Sequence, residues 1–134
     1  MEYRYQSEAI SGEEFADLLN RSGLAARRPA SDISRLQRML DNADLVITAR
    51  TADGKSVGVA RSLTDWSYTT YLSDLAVDAA HQGMGIGTRL IEETRKCAGP
   101  ETMLLLVAAP DAAEYYEKIG MPRCDRAFLY PRQK

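Results

Sequence analysis

Apolar positions recur at helical spacing in the first third of the chain. A short strand candidate over residues 3–6 is followed by Ser11 and Glu14, which have the spacing of a helix capping box. The pattern then predicts two helices, one beginning after Ser11 and one beginning near Ser31, each with one apolar face. The buried face of the first should hold Phe15, Leu18 and Leu19, and that of the second Ile33, Leu36, Leu40 and Ala43.

The period changes to that of strands in the middle of the chain and back to that of helices afterwards. Asp53-Gly54 is a strong turn signal between two alternating runs, so these runs predict a β-hairpin. Asp111 and Glu114 form a second capping box near the C-terminus. We predict strands over 45–50, 57–63 and 69–77, a helix over about 87–98, a doubly covered strand within 102–110, a helix over 111–119 and a last strand within 126–131.

The predicted order is therefore β-α-α-β-β-β-α-β-α-β, in a single domain over residues 1–134. A meander of three strands followed by a strand-helix-strand crossover requires a mixed sheet. We expect an α/β (α+β) fold in which an antiparallel meander precedes one parallel pair. A chain of 134 residues is long enough for one compact domain and short for two.

Composition narrows the functional classes. Seventeen basic and nineteen acidic residues leave a formal charge of -2, which gives no general field for binding nucleic acid. No apolar run reaches the ~20 residues of a membrane span and no signal peptide is evident, so a cytoplasmic protein without membrane attachment is expected. Cys97, Cys124 and the single histidine, His81, cannot assemble a Cys/His metal site, so we predict no metal and expect buried, reduced thiols.

The segment 82–88, QGMGIGT, places three glycines at alternate positions before a predicted helix. It does not match the dinucleotide-binding pattern GxGxxG, because Thr88 stands where the third glycine should be, and no P-loop lysine follows. A tight turn needs only one glycine, and each further one costs about 0.5–1 kcal/mol of backbone entropy. The pattern therefore favours exposed amides that bind a phosphate or pyrophosphate at a helix start, with a plain turn as the alternative.

Two motifs connect this segment to a known family. Residues 74–93, DLAVDAAHQGMGIGTRLIEE, resemble the acetyl-coenzyme A signature of the GCN5-related N-acetyltransferase (GNAT) superfamily, Gln/Arg-x-x-Gly-x-Gly/Ala, which Gln82, Gly85 and Gly87 match. Residues 108–121, AAPDAAEYYEKIGM, resemble the second signature of the same superfamily, in the same order and at a similar separation. The resemblance implies a GNAT-like fold with two splayed parallel strands.

The resemblance also implies a reaction and its donor. GNAT enzymes use acetyl-CoA as co-substrate and transfer its acetyl group directly to an amine. By resemblance, backbone groups of Leu75, Ala76 and Val77 bind the pantetheine arm as an added strand does. The loop amides then receive the pyrophosphate, and they are those of Gln82, Gly83, Met84, Gly85, Ile86, Gly87 and Thr88.

Tyr116 and Asp74 are the predicted catalytic residues. Tyr116 fills the position of the family's usual general acid, and the ordinary phenol pKa of about 10 keeps it protonated at neutral pH. Asp74 lies near where relatives often carry an acidic residue that draws the amine proton. The alternatives are simple packing for Tyr116 and a structural hydrogen bond for Asp74.

The motifs do not identify the acceptor. We take a small-molecule primary amine as the first hypothesis. A non-catalytic acyl-CoA sensor and an enzyme that acetylates a protein or an aminoacyl-tRNA are the alternatives. A homodimer is a further expectation, because the short segment after Gly120 leaves room for a partner to complete the acceptor pocket. Arg27 and Arg28 indicate either an acceptor with a carboxylate or phosphate, or a solvated pair of charges.

Overall fold

A mixed sheet of five strands lies at the centre of the structure, a computed structural model that describes residues 2–134. Across the sheet the strands keep the order of the chain, and all neighbours are antiparallel except the last two, which are parallel. The strands are β1 (Tyr3–Ser7), β2 (Leu45–Thr51), β3 (Ser56–Thr64), β4 (Thr69–Val77) and β5 (Met103–Leu105).

Helices cover both faces of this sheet. They are α1 (Gly12–Ser22), α2 (Ile33–Asp41), α3 (Ile86–Ala98) and α4 (Ala113–Lys118), and two 3-10 turns span Leu24–Arg27 and Ala79–His81. No helix in residues 2–134 is both long and apolar enough to cross a bilayer. The predicted α/β class, the antiparallel meander and the parallel pair are confirmed.

Two apolar clusters hold the helices to the sheet, one on each face. Adjacent residues of β3 point to opposite faces, so Val59 belongs to the cluster under α1 and α2 and Ala60 to the cluster under α3. The first contains Phe15, Leu18, Leu19, Leu36 and Leu40, and the second contains Ile47, Val57, Leu72, Ile86 and Leu90. Ala43 lies beyond the end of α2 and is half-buried, so it is not part of the predicted stripe.

The predicted starts of the first two helices are confirmed, the second with a shift of one residue. The Ser11 hydroxyl accepts a hydrogen bond from the Glu14 amide at 3.1 Å, so α1 is capped as predicted. For α2 the cap is Asp32, which accepts from the Arg35 amide at 3.0 Å, one residue after the predicted Ser31.

Three predictions about the last third of the chain are wrong. Residues 121–134 contain no strand, and Phe128 and Tyr130 are 98% and 100% exposed, because no neighbouring strand pairs with this segment. β5 is only three residues long and Met103 is exposed, so it is not covered on both faces. Since α4 begins at Ala113, its N-cap is Ala112, and no side chain, Asp111 included, caps the helix.

The thiols are also placed differently from the prediction. Both Cys97 and Cys124 are free and exposed, because one lies on the solvent side of α3 and the other in the segment after α4. Burial of these thiols was therefore a wrong prediction.

Candidate active site

The parallel pair formed by β4 and β5 opens after three residues. Residues 69–71 pair with residues 103–105, and beyond Tyr71 no strand covers this edge of β4 in the described part of the chain. On its other edge β4 stays paired with β3, although a bulge at Ser73 shifts the register there. The separation of two parallel strands that the GNAT resemblance implies is thus present.

Backbone groups along the open edge of β4 are partly occupied by side chains. The Ser73 carbonyl accepts from Arg28 Nη2 at 2.9 Å, and the Val77 carbonyl accepts from Gln82 Nε2 at 3.2 Å. Leu75 lies midway between them and faces the same edge, because alternate residues of a strand direct their backbone groups to the same side. Its amide and carbonyl have no partner strand.

Ala76 differs from its two neighbours in the predicted pantetheine-binding segment. It belongs to the alternate set that pairs with β3, as the bond from the Asp78 amide to the Val57 carbonyl at 2.8 Å shows. Its side chain is buried against α1 and α2. The open edge can therefore offer backbone hydrogen bonds from Leu75 and Val77, while the backbone of Ala76 faces the wrong way for this role.

The glycine segment 82–88 forms a loop of unpaired amides at the start of α3. Gly83 and Gly85 have φ values of 79° and 80°, a left-handed conformation that favours glycine. The first bond of the helix runs from the Arg89 amide to the Gly85 carbonyl, and in residues 2–134 no amide from 82 to 88 donates a hydrogen bond. Seven consecutive donors therefore remain free at the positive end of the α3 dipole.

Side chains of this loop divide between the core and the surface. Ile86 is buried against the sheet and anchors the loop, whereas the Met84 side chain is exposed. Position 87 requires glycine for a different reason, because a Cβ there would lie 2.4 Å from the Tyr115 hydroxyl oxygen. That hydroxyl also lies 3.3 Å from Thr88 Oγ1, so Tyr115 packs directly over the first turn of α3.

Buried polar contacts fix the turn that precedes the loop. The Asp78 carboxylate accepts from the Ala80 amide at 2.9 Å and from Arg21 Nη1 of α1 at 2.5 Å. Burial would raise the pKa of Asp78, but the Ala80 amide and the Arg21 guanidinium hold that pKa below its ordinary value. Tyr3 of β1 adds a contact from its hydroxyl to His81 Nδ1 at 2.9 Å. The loop is therefore tied to both α1 and β1.

Tyr116 lies half-buried in α4 and, like Leu75 and Val77, packs against the edge of the cluster under α3. Its ring meets that of Tyr115 edge to face, with the centroids 5.2 Å apart. Burial raises the pKa of the Tyr116 hydroxyl, and the Arg28 charge lowers it by a smaller amount. The phenol is therefore protonated at neutral pH, as a general acid must be.

Asp74 lies fully buried between two arginines. Its side chain is 0% exposed, one oxygen accepts from Arg28 Nε, and the other accepts from Arg61 Nε at 2.5 Å. A fully buried carboxylate whose two oxygens both accept from guanidinium N–H groups is shielded from an incoming amine. The geometry favours the structural alternative for Asp74.

Arg61 is the member of this group that sequence reasoning missed. It is an arginine within β3, where eight of the nine residues are buried, and a charge in a buried strand requires a partner. That signal was available, although the identity of the partner depends on the register between β3 and β4.

Comparison with known proteins identifies the family of this chain. The family model of the acetyltransferase (GNAT) domain matches residues 42–120, more than half of the chain. The chain belongs to the GNAT acetyltransferase family. It is 26% identical over 111 residues to an uncharacterised N-acetyltransferase, ycf52, of Pyropia yezoensis. That match covers 75% of this chain and 63% of the relative, so the chain spans less than two thirds of the relative's length.

Solved GNAT-like structures with different named acceptors resemble the chain about equally. A ribosomal-protein-alanine N-acetyltransferase from Brucella melitensis is 22% identical, with a TM-score of 0.70 and coverage of 98% of this chain and 99% of that one. An aminoglycoside acetyltransferase from an uncultured soil sample, in complex with sisomicin, is 22% identical, with a TM-score of 0.68 and coverage of 98% and 97%. At this level of identity the likeness concerns the fold, and the fold alone does not determine the acceptor.

Proposed function

We propose that this GNAT protein transfers the acetyl group of acetyl-CoA directly to a primary amine of a small-molecule acceptor. The observation that carries the proposal is the row of unpaired amides over residues 82–88 beside the uncovered edge of β4. A pyrophosphate accepts several such bonds at once, each worth about 1.5–3 kcal/mol when charge-assisted. The open edge at Leu75 and Val77 is suited to the amides of a pantetheine arm.

The reaction requires a proton for the departing thiolate and releases a proton from the attacking amine. Acetyl-CoA supplies the thioester, and attack by the amine forms a C–N bond while the C–S bond breaks. Tyr116 is our candidate to protonate the departing thiolate, because its half-buried hydroxyl is in the acid form and its side chain packs against the same apolar cluster as Leu75 and Val77. The proton lost by the amine passes to water, since Asp74 is enclosed by arginines.

Deprotonation by water sets a condition on the acceptor. An amine with a pKa near 8 is partly neutral at physiological pH, whereas one with a pKa near 10.4 is almost wholly charged and reacts slowly. We therefore expect faster turnover with amines of low pKa. This expectation replaces the earlier one of a carboxylate base at Asp74.

A hollow beside α1 supports a small acceptor. It is lined by Asn20, Ala25, Arg28, Ala30 and Ser31, which are small or polar side chains. The aminoglycoside acetyltransferase of similar fold acts on a small molecule, which agrees with this choice, whereas the ribosomal-protein enzyme of similar fold keeps a protein amine as the alternative. The homodimer and the cytoplasmic location stay predictions.

The direct test is acetyl-CoA consumption with a panel of small amines and N-terminal peptides, comparing the wild type with Tyr116→Phe. We expect turnover with one or more small amines and its loss in the variant. Calorimetry of acetyl-CoA binding serves as the second measurement. Tight binding without turnover on any amine would favour the sensor alternative, and turnover on peptides alone would favour a protein acceptor.

A further inference from the structure

Two arginines share one carboxylate at the open edge of β4. In residues 2–134, Asp74 is the only carboxylate within 4.0 Å of either Arg28 or Arg61. The two arginines and the one carboxylate therefore have a net charge of +1. Because the side chains of Asp74 and Arg61 are 0% and 8% exposed, this excess is poorly screened by solvent.

Only one of the two arginines is available to a ligand. Arg61 is buried, and it is committed to Asp74 and to Ser73 Oγ at 3.1 Å. The Arg28 side chain is 24% exposed, and Asp74, the Arg27 carbonyl and the Ser73 carbonyl take one N–H from each of its three nitrogens. A guanidinium has five N–H groups, so two remain on Arg28.

Arg28 is one of the residues that line the hollow described above. Ala25 and Ala30 contribute small side chains to the wall, and Asn20 and Ser31 contribute polar groups. Through Ser73 the same side chain also reaches the edge of β4 where the strands part. Arg28 thus joins the hollow to the place where the thioester would lie.

We propose that the acceptor carries a carboxylate as well as its reacting amine, and that Arg28 binds this carboxylate and determines specificity. Arg61 neutralises Asp74, so the charge of Arg28 is left for the ligand. One excess positive charge matches the single negative charge of a carboxylate, whereas a phosphate carries about -1.5 to -2 at pH 7. The planar guanidinium also suits a planar carboxylate. This inference rests on the proposed small-molecule acetyltransferase activity.

Pairs of amino acids and their carboxamides test this proposal at saturating acetyl-CoA, with 2-aminoethyl phosphate as a third kind of acceptor. Rates are corrected for the fraction of neutral amine, which differs between an acid and its amide. We expect wild-type kcat/KM to be about tenfold or more higher for the acids. In Arg28→Gln the KM for acids should rise about tenfold with kcat changed less than about threefold, and the amides should be unaffected.

Matched variants separate recognition from structure. Arg27→Gln removes an exposed neighbouring arginine and should behave as wild type. Arg28→Lys keeps a positive charge at this position, so it should retain a preference for acids even if Arg28→Gln does not fold. Equal rates for acids and amides in the wild type, a preference for the phosphate, or an equal loss on acids and amides in the variants would overturn the proposal.

Failure of the underlying activity gives a different result. If acetyl-CoA binds and no amine is acetylated, the proposed function is wrong. The Arg28 site is then tested by thermal shift with N-acetyl amino acids against their carboxamides in the presence of coenzyme A. A larger rise in melting temperature with the acids than with the carboxamides supports the site, provided that Arg28→Lys and Arg27→Gln both show it too. An equal rise with acids and carboxamides rejects the site.

Discussion

The loop over residues 82–88, which follows β4, and the arginine group around Asp74, a residue of β4, are built from different parts of the chain. The loop offers backbone amides, which are made available by glycines close together in sequence. The arginine group offers side chains from three places, Arg28 after α1, Arg61 on β3 and Asp74 on β4. A site made of backbone depends on local conformation, whereas a site made of ion pairs depends on how distant elements pack.

This difference has a functional side. The unpaired amides suit the pyrophosphate of the proposed donor, whereas the charges around Arg28 belong to the proposed acceptor site. The donor half and the acceptor half of the proposed reaction should therefore respond separately to substitution. Four changes test that separation, in descending order of expected effect.

Tyr116→Phe should have the largest effect on the reaction and belongs to neither half. Loss of a general acid lowers kcat by about 10²- to 10⁴-fold, while the affinity for acetyl-CoA should stay within a few fold. Because burial raises the pKa of Tyr116, wild-type kcat should fall only above pH 10, as the acid form is lost. Steady-state kinetics over a pH series measures both effects.

Tyr115→Phe is the matched control for this change. Its hydroxyl contacts Thr88 over the first turn of α3, so its loss should alter acetyl-CoA binding slightly and kcat little. If Tyr115→Phe abolishes turnover and Tyr116→Phe does not, the general acid has been assigned to the wrong tyrosine.

Asp74→Asn should act on stability instead of on proton transfer. It leaves two arginines without their carboxylate, and breaking such a buried pair costs about 3–5 kcal/mol of unfolding free energy. Denaturant unfolding measures the loss, and the pH-rate profile of the remaining folded enzyme should keep its shape. A folded, stable variant whose rate rises only at high pH would restore Asp74 as the base.

Asp17→Asn provides the comparison for a surface ion pair. Asp17 is 66% exposed and pairs with Arg21 one turn away, so its loss should cost under about 0.5 kcal/mol.

Gly85→Val should affect the donor half alone. A valine at φ 80° is strained and would tilt the loop amides away from a bound pyrophosphate, so acetyl-CoA should bind about 10- to 100-fold more weakly by calorimetry. Gly54→Val is matched, because Gly54 has a φ of 91° in the β2–β3 hairpin turn, outside the loop, and is equally open around its Cα. Similar losses of affinity in both variants would mean that general destabilisation explains the result.

Glu8→Gln should have the smallest effect and should change neither the donor half nor the acceptor half of the proposed reaction. Glu8 lies after β1 and binds Arg50 Nε at 2.8 Å; burial opposes its charge, but the Arg50 and Thr48 hydrogen bonds lower its pKa to about 2. The stabilisation is therefore present above the ordinary pKa of 4.5 and is lost as pH falls towards 2. The melting temperature of the variant should be lower than that of the wild type at pH 7 and equal to it near pH 2. Glu2 is exposed, so Glu2→Gln should have the melting temperature of the wild type at both pH values.

Features that depend on neighbouring residues were predictable from the sequence. Asp53-Gly54 sets the hairpin, Ser11 caps α1, and the three glycines of residues 82–88 expose the amides before α3. In each case the decisive contacts join residues a few positions apart, so the local pattern contains the information.

Features that depend on partners far away in the chain were not predictable in the same way. Arg28 meets Asp74 across 46 positions, and Arg61 meets it through a register that the Ser73 bulge has shifted. The pattern of residues 126–131 suits a strand, but β5 is too short to support a further partner, so the segment stays outside the sheet. A strand requires a neighbour as well as a favourable sequence.

The uncovered edge of β4 would make the rigidity of the sheet depend on a bound ligand. If a pantetheine arm lies along Leu75 and Val77, the sheet gains a temporary sixth strand in every catalytic cycle. The amide hydrogen of Leu75 should then exchange quickly with deuterium in the free protein and slowly in the complex, while amides of β2 and β3 change little. The molecule that supplies the acetyl group would also complete the architecture, and each release of coenzyme A would open it again.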